Sequence, residues 1–267
     1  MNYFEAFVLA VIEGLTEYLP VSSTAHMIFA SSYFQIQNDD FTKLFQVSIQ
    51  FGAILAVVFL YAKKFFDFTR LQFYTKLAIA VIPALVLGKL FDDYIDAVLG
   101  DPVPIAIVLI IGGVVLLFID KFFKNPTIHN EQELPIKKAV IIGFWQCLAM
   151  MPGTSRSAAS IIGGMQQGLS RQAAAEFSFF LAVPTMLAVS AYSIFVKTYE
   201  STGSKGYELI SATENGWQLF LGGNVVAFIV AVIAIKSFIA LLLKYGFKLW
   251  GWYRIIAGIL LLIYFTR

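Results

Sequence analysis

The sequence predicts an all-α, polytopic integral membrane protein that has six transmembrane helices plus two re-entrant helix–loop–helix hairpins in an inverted-topology repeat. Composition is the first observation behind this prediction. Of the 267 residues, 59% are hydrophobic and 13% are charged, and the mean hydropathy is +0.77. A water-facing surface needs more charge than this, so membrane lipid is the expected surrounding. The formal net charge of +2 provides no basic surface, and nucleic acid is not an expected partner.

The second observation is the length of the apolar segments. A helix that spans a bilayer needs about 20 consecutive, mostly apolar residues. Such segments lie at about residues 45–62, 76–91, 104–122, 177–196, 217–243 and 250–265. They predict six transmembrane helices within a single membrane domain, 1–267.

The third observation is a polar interruption in each of two further apolar segments. Segment 3–33 is broken by LPVSSTAH, and segment 136–169 is broken by MPGTSRSAAS. Non-helical backbone at membrane depth is stable only where protein or a water-filled cavity satisfies its polar groups. Each segment is therefore predicted to form a hairpin of two helices, and the tips of the two hairpins are expected to meet at one polar site.

A weak internal repeat supports this pairing of the two breaks. A shift of 132 residues aligns Pro20 with Pro152 and Ser23 with Ser155. Half one would cover about 1–123 and half two about 136–267. A re-entrant hairpin adds no net crossing, so three spans separate the two copies and the second copy is inverted. Inverted repeats of this kind place a binding site at the interface between the halves.

The distribution of basic residues predicts the orientation. The loops on one side carry Lys63, Lys64, Arg70, Lys76, Lys121, Lys124, Lys137, Lys138, Arg171, Lys244 and Lys248. The loops on the other side carry Lys43, Lys197, Lys205 and Arg267, together with Asp39, Asp40, Asp92, Asp93, Asp96 and Asp101. By the positive-inside rule the first side is cytoplasmic. The polar site is then expected to open to the outer, periplasmic side.

Glu13 and Glu17 are the first candidate functional residues. Residues four apart share one face of a helix, so the two carboxylates would lie about one turn from each other. Either one of them holds a proton or a cation lies between them, and such hard oxygen ligands suit magnesium or calcium. The alternative is an interfacial helix whose acidic face meets water.

The first break offers a cluster of hydroxyl groups close to a histidine. Pro20 ends the first helix, and Ser22, Ser23 and Thr24 follow where a second helix would begin. Capping accounts for one hydroxyl, and the others before His26 suggest an activated nucleophile or a proton shuttle. A purely structural interfacial histidine is the alternative.

The second break has the composition of an anion-binding loop. Gly153 allows backbone geometries that expose N–H groups, and the hydroxyls of Thr154, Ser155 and Ser157 can donate hydrogen bonds. A helix that starts near Ser157 would point its positive end at the loop. Arg156 adds a permanent charge whose planar fork matches a phosphate. A Pro-Gly turn with an arginine that extends to the membrane surface is the alternative.

Three other polar or aromatic positions give weaker predictions. Glu176 could pair with Arg156 or simply stabilise a helix N-terminus. Arg254 is expected to extend its charge to the membrane surface or to pair with lipid phosphates, and Trp250 is expected to anchor the chain at the interface.

The residues in the two breaks together suit phosphoryl transfer or hydrolysis on a lipid-borne phosphate. The stretches EGLTEYLPVSSTAHM, FQVSIQFGAILAV, PGTSRSAAS and EFSFFLAVP closely resemble the undecaprenyl-diphosphate phosphatases of the BacA/UppP type, the bacitracin-resistance proteins, across essentially the whole chain. The resemblance implies hydrolysis of a polyprenyl diphosphate lipid to the monophosphate, with a divalent cation required.

The resemblance also implies roles for individual residues. The acidic motif of the family falls on Glu13 and Glu17, its serine and histidine on Ser23 and His26, and its phosphate-binding arginine on Arg156. Ser23 is favoured as the nucleophile, with His26 or Glu17 handling protons; attack by His26 or by an activated water stays open.

Two departures from the family pattern are visible. Many members of the family have glycine where Ala25 stands and threonine where Ser160 stands, and Ser160 keeps the substrate-binding hydroxyl. A transporter or flippase of the lipid carrier is the rival function, because broken helices in an inverted repeat suit transport equally well. A homodimer is one option for the assembly.

Overall fold

The computed structural model describes residues 1–91 and 101–266, so the predicted outer-side charges Asp92, Asp93, Asp96 and Arg267 lie outside the described residues. Helices make up most of the described chain. In chain order they are α1 (Tyr3–Thr16), α2 (Ser23–Tyr33), α3 (Asp40–Leu60), α4 (Ala62–Phe65), α5 (Leu71–Leu90), α6 (Pro102–Phe122), α7 (Ile136–Cys147), α8 (Arg156–Gln166), α9 (Arg171–Phe195), α10 (Gly206–Ala212), α11 (Gly216–Tyr245) and α12 (Lys248–Phe265). Short 3₁₀ helices cover Glu131–Glu133 and Leu148–Met150, and strands β1 (Thr198–Tyr199) and β2 (Ser204–Lys205) form an antiparallel ribbon.

Among the described residues, six helices are long and apolar enough to cross a membrane: α3, α5, α6, α9, α11 and α12. They coincide with the six predicted spans and confirm a multi-pass, all-α membrane protein. Some begin earlier than predicted because polar residues cap them and extend them beyond the apolar segment. The Asp39 side chain accepts a hydrogen bond from the backbone of Thr42 at the start of α3, and Ser170 does the same for Ala173 at the start of α9.

Both predicted breaks are present. The helix of the first segment ends at Thr16 and resumes at Ser23, and that of the second ends at Cys147 and resumes at Arg156 after a 3₁₀ turn. The two helices on either side of each break pack against each other, so each segment is a hairpin. Re-entry of the hairpins into a bilayer stays a prediction.

The helices that follow the two breaks have the same local geometry. Each is 11 residues long. Each begins after a serine with positive φ, 68° at Ser22 and 73° at Ser155, and each is followed two residues later by a second positive φ, at Gln35 and Gly168. Ser22 therefore corresponds to Ser155, whereas the sequence repeat aligned Ser23 with that residue. The correct partner of Ser23 is Arg156, the first residue of α8.

The first helix of each hairpin packs on a span from the other half of the chain. Helix α1 lies against α11, where a Cβ on Gly14 would come within 2.6 Å of the carbonyl oxygen of Ala227. Helix α7 lies against α5, where a Cβ on Gly143 would come within 2.2 Å of the carbonyl oxygen of Ala80. Backbones this close require glycine. The exchange of helices holds both hairpins between the halves, and so determines where the breaks lie.

Ion pairs join the loops that the orientation prediction assigned to the cytoplasmic side. Lys64 Nζ lies 2.9 Å from Glu131 Oε1 and 3.0 Å from Glu176 Oε2. Partial burial lowers the pKa of Lys64, but the hydrogen bonds to the two carboxylates outweigh this effect and raise its pKa above the ordinary value. Glu176 thus pairs with Lys64, and the predicted pairing of Glu176 with Arg156 is wrong.

The core is mainly aromatic and aliphatic, and one predicted surface residue belongs to it. Trp250 is 8% exposed and packs its ring 5.4 Å from that of Phe238. The prediction that Trp250 anchors the chain at the membrane surface is wrong because its ring is buried in the hydrophobic core. Trp217 and Trp252 are exposed, as expected for surface anchors.

Candidate active site

The two breaks meet at the carboxylate of Glu17, as predicted. Arg156 Nη2 donates to Glu17 Oε1 at 2.7 Å, and Ser23 Oγ donates to Glu17 Oε2 at 2.7 Å. All three side chains are buried. Since Ser23 and Arg156 are the first residues of α2 and α8, the carboxylate receives one hydrogen bond from the equivalent position of each repeat.

The N-caps explain why these two side chains converge. The hydroxyl of Ser22 accepts from the backbone N–H of Ala25 at 3.5 Å, and that of Ser155 accepts from Ala158 at 3.2 Å. The positive φ at both serines turns the chain sharply into each helix, a strained conformation that is typical of functional sites. Two helix N-termini with their partial positive charge therefore flank Glu17, which is the arrangement that binds anions.

The guanidinium of Arg156 is held at both of its Nη atoms but not at Nε. Its Nη1 donates to the carbonyl oxygen of Ser178 at 3.0 Å, and its plane lies 5.6 Å from the ring centre of Tyr18. Its Nε is buried and has no hydrogen-bond partner among residues 1–91 and 101–266. A buried N–H without a partner is costly unless a ligand or water accepts from it. Arg156 therefore keeps a donor free for an anionic ligand.

The hydroxyls behind Arg156 bind the protein itself. Ser157 Oγ donates to the carbonyl oxygen of Tyr18 at 2.8 Å, which ties the second break to the first. Ser160 Oγ contacts Ser178 Oγ at 2.6 Å and donates to the carbonyl oxygen of Arg156 at 2.9 Å. Both serines thus position Arg156. Their predicted contribution to substrate binding stays a prediction, as it does for the partly buried Thr24 and Thr154.

His26 is held away from the serine that it was expected to assist. Its Nδ1 lies 2.8 Å from the carbonyl oxygen of Ser22, and its Nε2 lies 2.7 Å from the hydroxyl of Tyr253. A carbonyl oxygen can only accept, so Nδ1 carries the proton and Nε2 of a neutral ring accepts from Tyr253. Within the described chain, the group that binds the Ser23 hydroxyl is Glu17, and a Ser23–His26 hydrogen bond is not formed.

Glu13 lies one turn before Glu17 on the same helix face, and the backbone N–H of Glu17 donates to its carbonyl oxygen. Its side chain is fully buried, and both carboxylate oxygens are without a hydrogen-bond partner in the described part of the chain. Bare anionic oxygens in this setting require a proton or a cation. The described residues contain no group of three or more His, Cys, Asp or Glu side chains that could hold a metal, so a cation here would need further oxygen ligands from hydroxyls, water or substrate.

Arg254, in α12, joins the two breaks, and sequence reasoning missed this role. Its Nη1 donates to the carbonyl oxygens of Pro20 at 3.1 Å and Thr154 at 2.9 Å, and its Nη2 donates to that of Gly153 at 2.8 Å. The side chain is fully buried. The prediction that Arg254 extends to the membrane surface is wrong because the loop carbonyls satisfy its charge inside the protein.

One signal in the sequence could have identified Arg254. A charged residue in the interior of a predicted span is expensive in lipid and usually functional. Lys236 carries the same signal, and its exposed side chain shows that the signal alone does not distinguish an inward-facing charge from an outward-facing one.

Comparison with known proteins identifies the family of the chain. Residues 6–260 match the family model described as "Bacitracin resistance protein BacA". The chain belongs to the BacA family. The BacA-family chain is 56% identical over 264 residues to a protein of Flavobacterium johnsoniae named undecaprenyl-diphosphatase, with 98% of this chain and 96% of the relative covered. Proteins of the same name from Porphyromonas gingivalis and Bdellovibrio bacteriovorus are 47% and 44% identical, again over 98% of this chain and 96% of each relative.

Proposed function

We propose that this chain is a membrane phosphatase that hydrolyses undecaprenyl diphosphate to undecaprenyl phosphate and inorganic phosphate, and so recycles the lipid carrier for cell-wall synthesis and gives bacitracin resistance. The observation that carries the proposal is the carboxylate of Glu17, which binds a hydroxyl from one break and a guanidinium from the other. Relatives named undecaprenyl-diphosphatase over nearly the whole chain support the same substrate.

The terminal phosphate would bind between the two helix N-termini. The free Nε–H of Arg156 and the first backbone N–H groups of α2 and α8 are the donors available to it. A phosphate oxygen would also compete with Glu17 for the guanidinium, because both accept from the same planar fork. Substrate binding would in this way release the Glu17 carboxylate to act on Ser23.

Ser23 is the proposed nucleophile. Its Oγ would attack the terminal phosphorus while its proton passes to Glu17 Oε2, 2.7 Å away. The bond from phosphorus to the bridging oxygen breaks, and undecaprenyl phosphate leaves with the proton that Glu17 took from Ser23. Water then attacks the phosphoserine while Glu17, ionised again, accepts the proton of the water. Glu17 returns this proton to Ser23 Oγ as the phosphorus–Oγ bond breaks and inorganic phosphate leaves. His26 and Tyr253 would hold the start of α2 in position, because His26 binds the carbonyl oxygen of Ser22 with one ring nitrogen and the hydroxyl of Tyr253 with the other.

Glu13 and Glu17 would hold the divalent cation, magnesium or calcium. When bound, the cation would neutralise charge on the diphosphate. The two unpartnered oxygens of Glu13 support this assignment. Calorimetry with each cation on the purified protein tests it without reference to activity: binding by the wild type that the Glu13→Gln variant loses supports the assignment, and equal binding contradicts it.

The location of the activity and the assembly rest on the sequence predictions. We propose a bacterial inner membrane, with the site opening to the outer side. In a Cys147→Ser background, Asn38→Cys in the turn before α3 should react with an impermeant thiol reagent in intact cells, and Lys124→Cys should not. The opposite labelling pattern would reverse the orientation. The homodimer stays a prediction that light scattering in detergent would test.

Phosphate release from undecaprenyl diphosphate in detergent micelles tests the function directly. The wild-type protein should release inorganic phosphate, and Arg156→Ala should reduce the rate about a hundredfold or more because an electrostatic contact to the reacting phosphate is lost. Arg70→Ala, which removes an arginine paired only at 4.0 Å with Asp67, is the matched control and should leave the rate unchanged.

The same assay separates the enzyme from its rival. A transporter or flippase has no gradient to use in micelles and would release no phosphate, so an inactive wild-type protein with intact folding would overturn the phosphatase. Acid quenching during turnover addresses the nucleophile. Phosphoserine at position 23 supports attack by Ser23, whereas a Ser23→Ala variant that keeps its rate would assign the attack to another group.

A further inference from the structure

A polar cavity, separate from the site at Glu17, lies where the C-terminal ends of α6 and α11 meet the N-terminal ends of α9 and α12. It has a volume of about 320 Å³, and its lining includes Asp120, Lys121, Arg171, Lys244 and Lys248. Four cations from four different helices thus surround one carboxylate. None of these residues takes part in the site at Glu17.

The single carboxylate is already occupied. Asp120 Oδ1 accepts from Arg171 Nε at 2.5 Å, and Asp120 Oδ2 accepts from the backbone N–H of Phe247 at 2.8 Å. We call the cavity lined by Lys121, Lys244 and Lys248 the lysine pocket. In the described part of the chain, no carboxylate lies within ion-pair distance of these three lysines. The three lysines are exposed, and the Nζ atoms of Lys121 and Lys244 lie 5.6 Å and 5.0 Å from the ring centres of Phe118 and Tyr245. The lysine pocket therefore carries three positive charges that no carboxylate in the described part of the chain neutralises.

General rules account for part of this charge but not for its arrangement. Lys121 and Lys244 lie in the last turns of α6 and α11, where a cation is stabilised by the helix macrodipole. Lys248 is the first residue of α12, where the same effect disfavours a cation. The positive-inside rule favours lysine on this side but does not require three of them to line one cavity. An anionic ligand explains both the convergence and the position of Lys248.

The surroundings of the lysine pocket indicate a lipid. Tyr245 lines the cavity, Phe122 is the neighbour of Lys121 in the sequence, and Trp252 follows Lys248 by one helical turn. These aromatic side chains are 52%, 75% and 57% exposed, respectively. Aromatic residues at this density are typical of the headgroup level of a membrane. Basic pockets between transmembrane helices at that level bind anionic headgroups. We propose that the lysine pocket binds the phosphate of an anionic phospholipid headgroup.

The test compares two triple variants by native mass spectrometry of delipidated protein with phosphatidylglycerol and phosphatidylcholine. The first variant is Lys121→Gln, Lys244→Gln and Lys248→Gln, which leaves Asp120 and Arg171 intact. The matched control is Lys63→Gln, Lys124→Gln and Lys137→Gln, which removes three exposed lysines from the same side of the protein. The first should bind phosphatidylglycerol at least about tenfold more weakly, while the control keeps wild-type affinity and neither changes phosphatidylcholine binding.

Three outcomes would overturn the proposal. Equal losses in both triple variants would assign the lipid affinity to general surface charge, and no loss in the first would exclude the lysine pocket. Displacement of phosphatidylglycerol by an equimolar amount of inorganic phosphate would assign the pocket to a soluble anion. If the triple variant does not fold, as judged by thermal unfolding, Lys248→Gln alone replaces it and should weaken binding about threefold.

Discussion

Arg254→Met is the sharpest test of how the site is assembled. Methionine keeps much of the apolar volume of the arginine side chain but removes every donor. Three loop carbonyl oxygens, those of Pro20, Gly153 and Thr154, then lose the guanidinium that binds them inside the protein. Both breaks are affected at once, because the first of these carbonyls belongs to one hairpin and the other two belong to the second.

The magnitude follows from the contacts. A buried acceptor left without its donor costs about 1–2 kcal/mol, so three of them lower the free energy of unfolding by about 3–6 kcal/mol. The breaks would also lose the constraint that fixes Glu17 opposite Arg156. A displacement of about 1 Å between reacting groups reduces rates about a hundredfold. We expect the phosphate-release rate to fall by at least that factor, with a smaller change in KM.

Thermal unfolding in detergent and phosphate release from undecaprenyl diphosphate are the two measurements. Lys236→Met is the matched control because it removes a charge from the interior of another span, α11, where the side chain is exposed. It should leave both quantities close to the wild type. Arg254→Lys should give a stability and a rate between those of the wild type and Arg254→Met. The lysine ammonium keeps the charge but lacks the planar fork of donors that reaches all of these acceptors. An Arg254→Met protein with wild-type stability and rate would refute the role of Arg254 in holding the breaks together.

Three further outcomes follow from the geometry. Gly153→Ala should lower the unfolding temperature and the phosphate-release rate, because φ is +92° and the new Cβ would lie 2.5 Å from a carbonyl oxygen. The control is Gly203→Ala, where φ is +68° and a Cβ would have no neighbour within 4 Å; it should cost only about 1–2 kcal/mol of backbone strain. Gly52→Ala should lower the free energy of unfolding by about 1–3 kcal/mol, because its Cβ would lie 2.2 Å from a backbone oxygen of α11. Gly222→Ala, whose Cβ would have no neighbour within 4 Å, should leave the stability unchanged. Equal unfolding temperatures of the two variants would contradict the close packing at Gly52. Glu13→Gln should weaken magnesium or calcium binding about tenfold or more in calorimetry, and unchanged affinity would indicate that Glu13 holds a proton instead.

The spans and breaks were predictable because the information that specifies them is local. Apolar length alone identifies a helix that can cross a bilayer. The cost of polar backbone in lipid likewise marks the stretches around Pro20 and Pro152 as functional. Errors at the span boundaries arose where polar caps such as Asp39 and Ser170 extended a helix beyond its apolar segment.

The candidate residues came from residue type and spacing, but their pairing could not be predicted in this way. Glu17, Ser23 and Arg156, which the structure brings together, were named as candidates, as was His26, and their catalytic roles stay predictions. Nearness in the sequence suggested that Ser23 pairs with His26, three residues away. In the structure, the turn at Ser22 directs Ser23 to Glu17 and leaves His26 on Tyr253.

By itself, the sequence determined the membrane class, the six spans, the two polar breaks and the residue types that suit a lipid phosphate, because each depends on the cost of placing nearby residues in lipid. Only the tertiary structure decided that Ser23 and Arg156 occupy equivalent positions on Glu17, and that Arg254 holds both breaks from within a span. The contacts of Arg156 with Glu17 and of Arg254 with the loop carbonyls join residues a hundred or more positions apart. Their partners are set by the exchange of helices between the two halves, which no local pattern specifies.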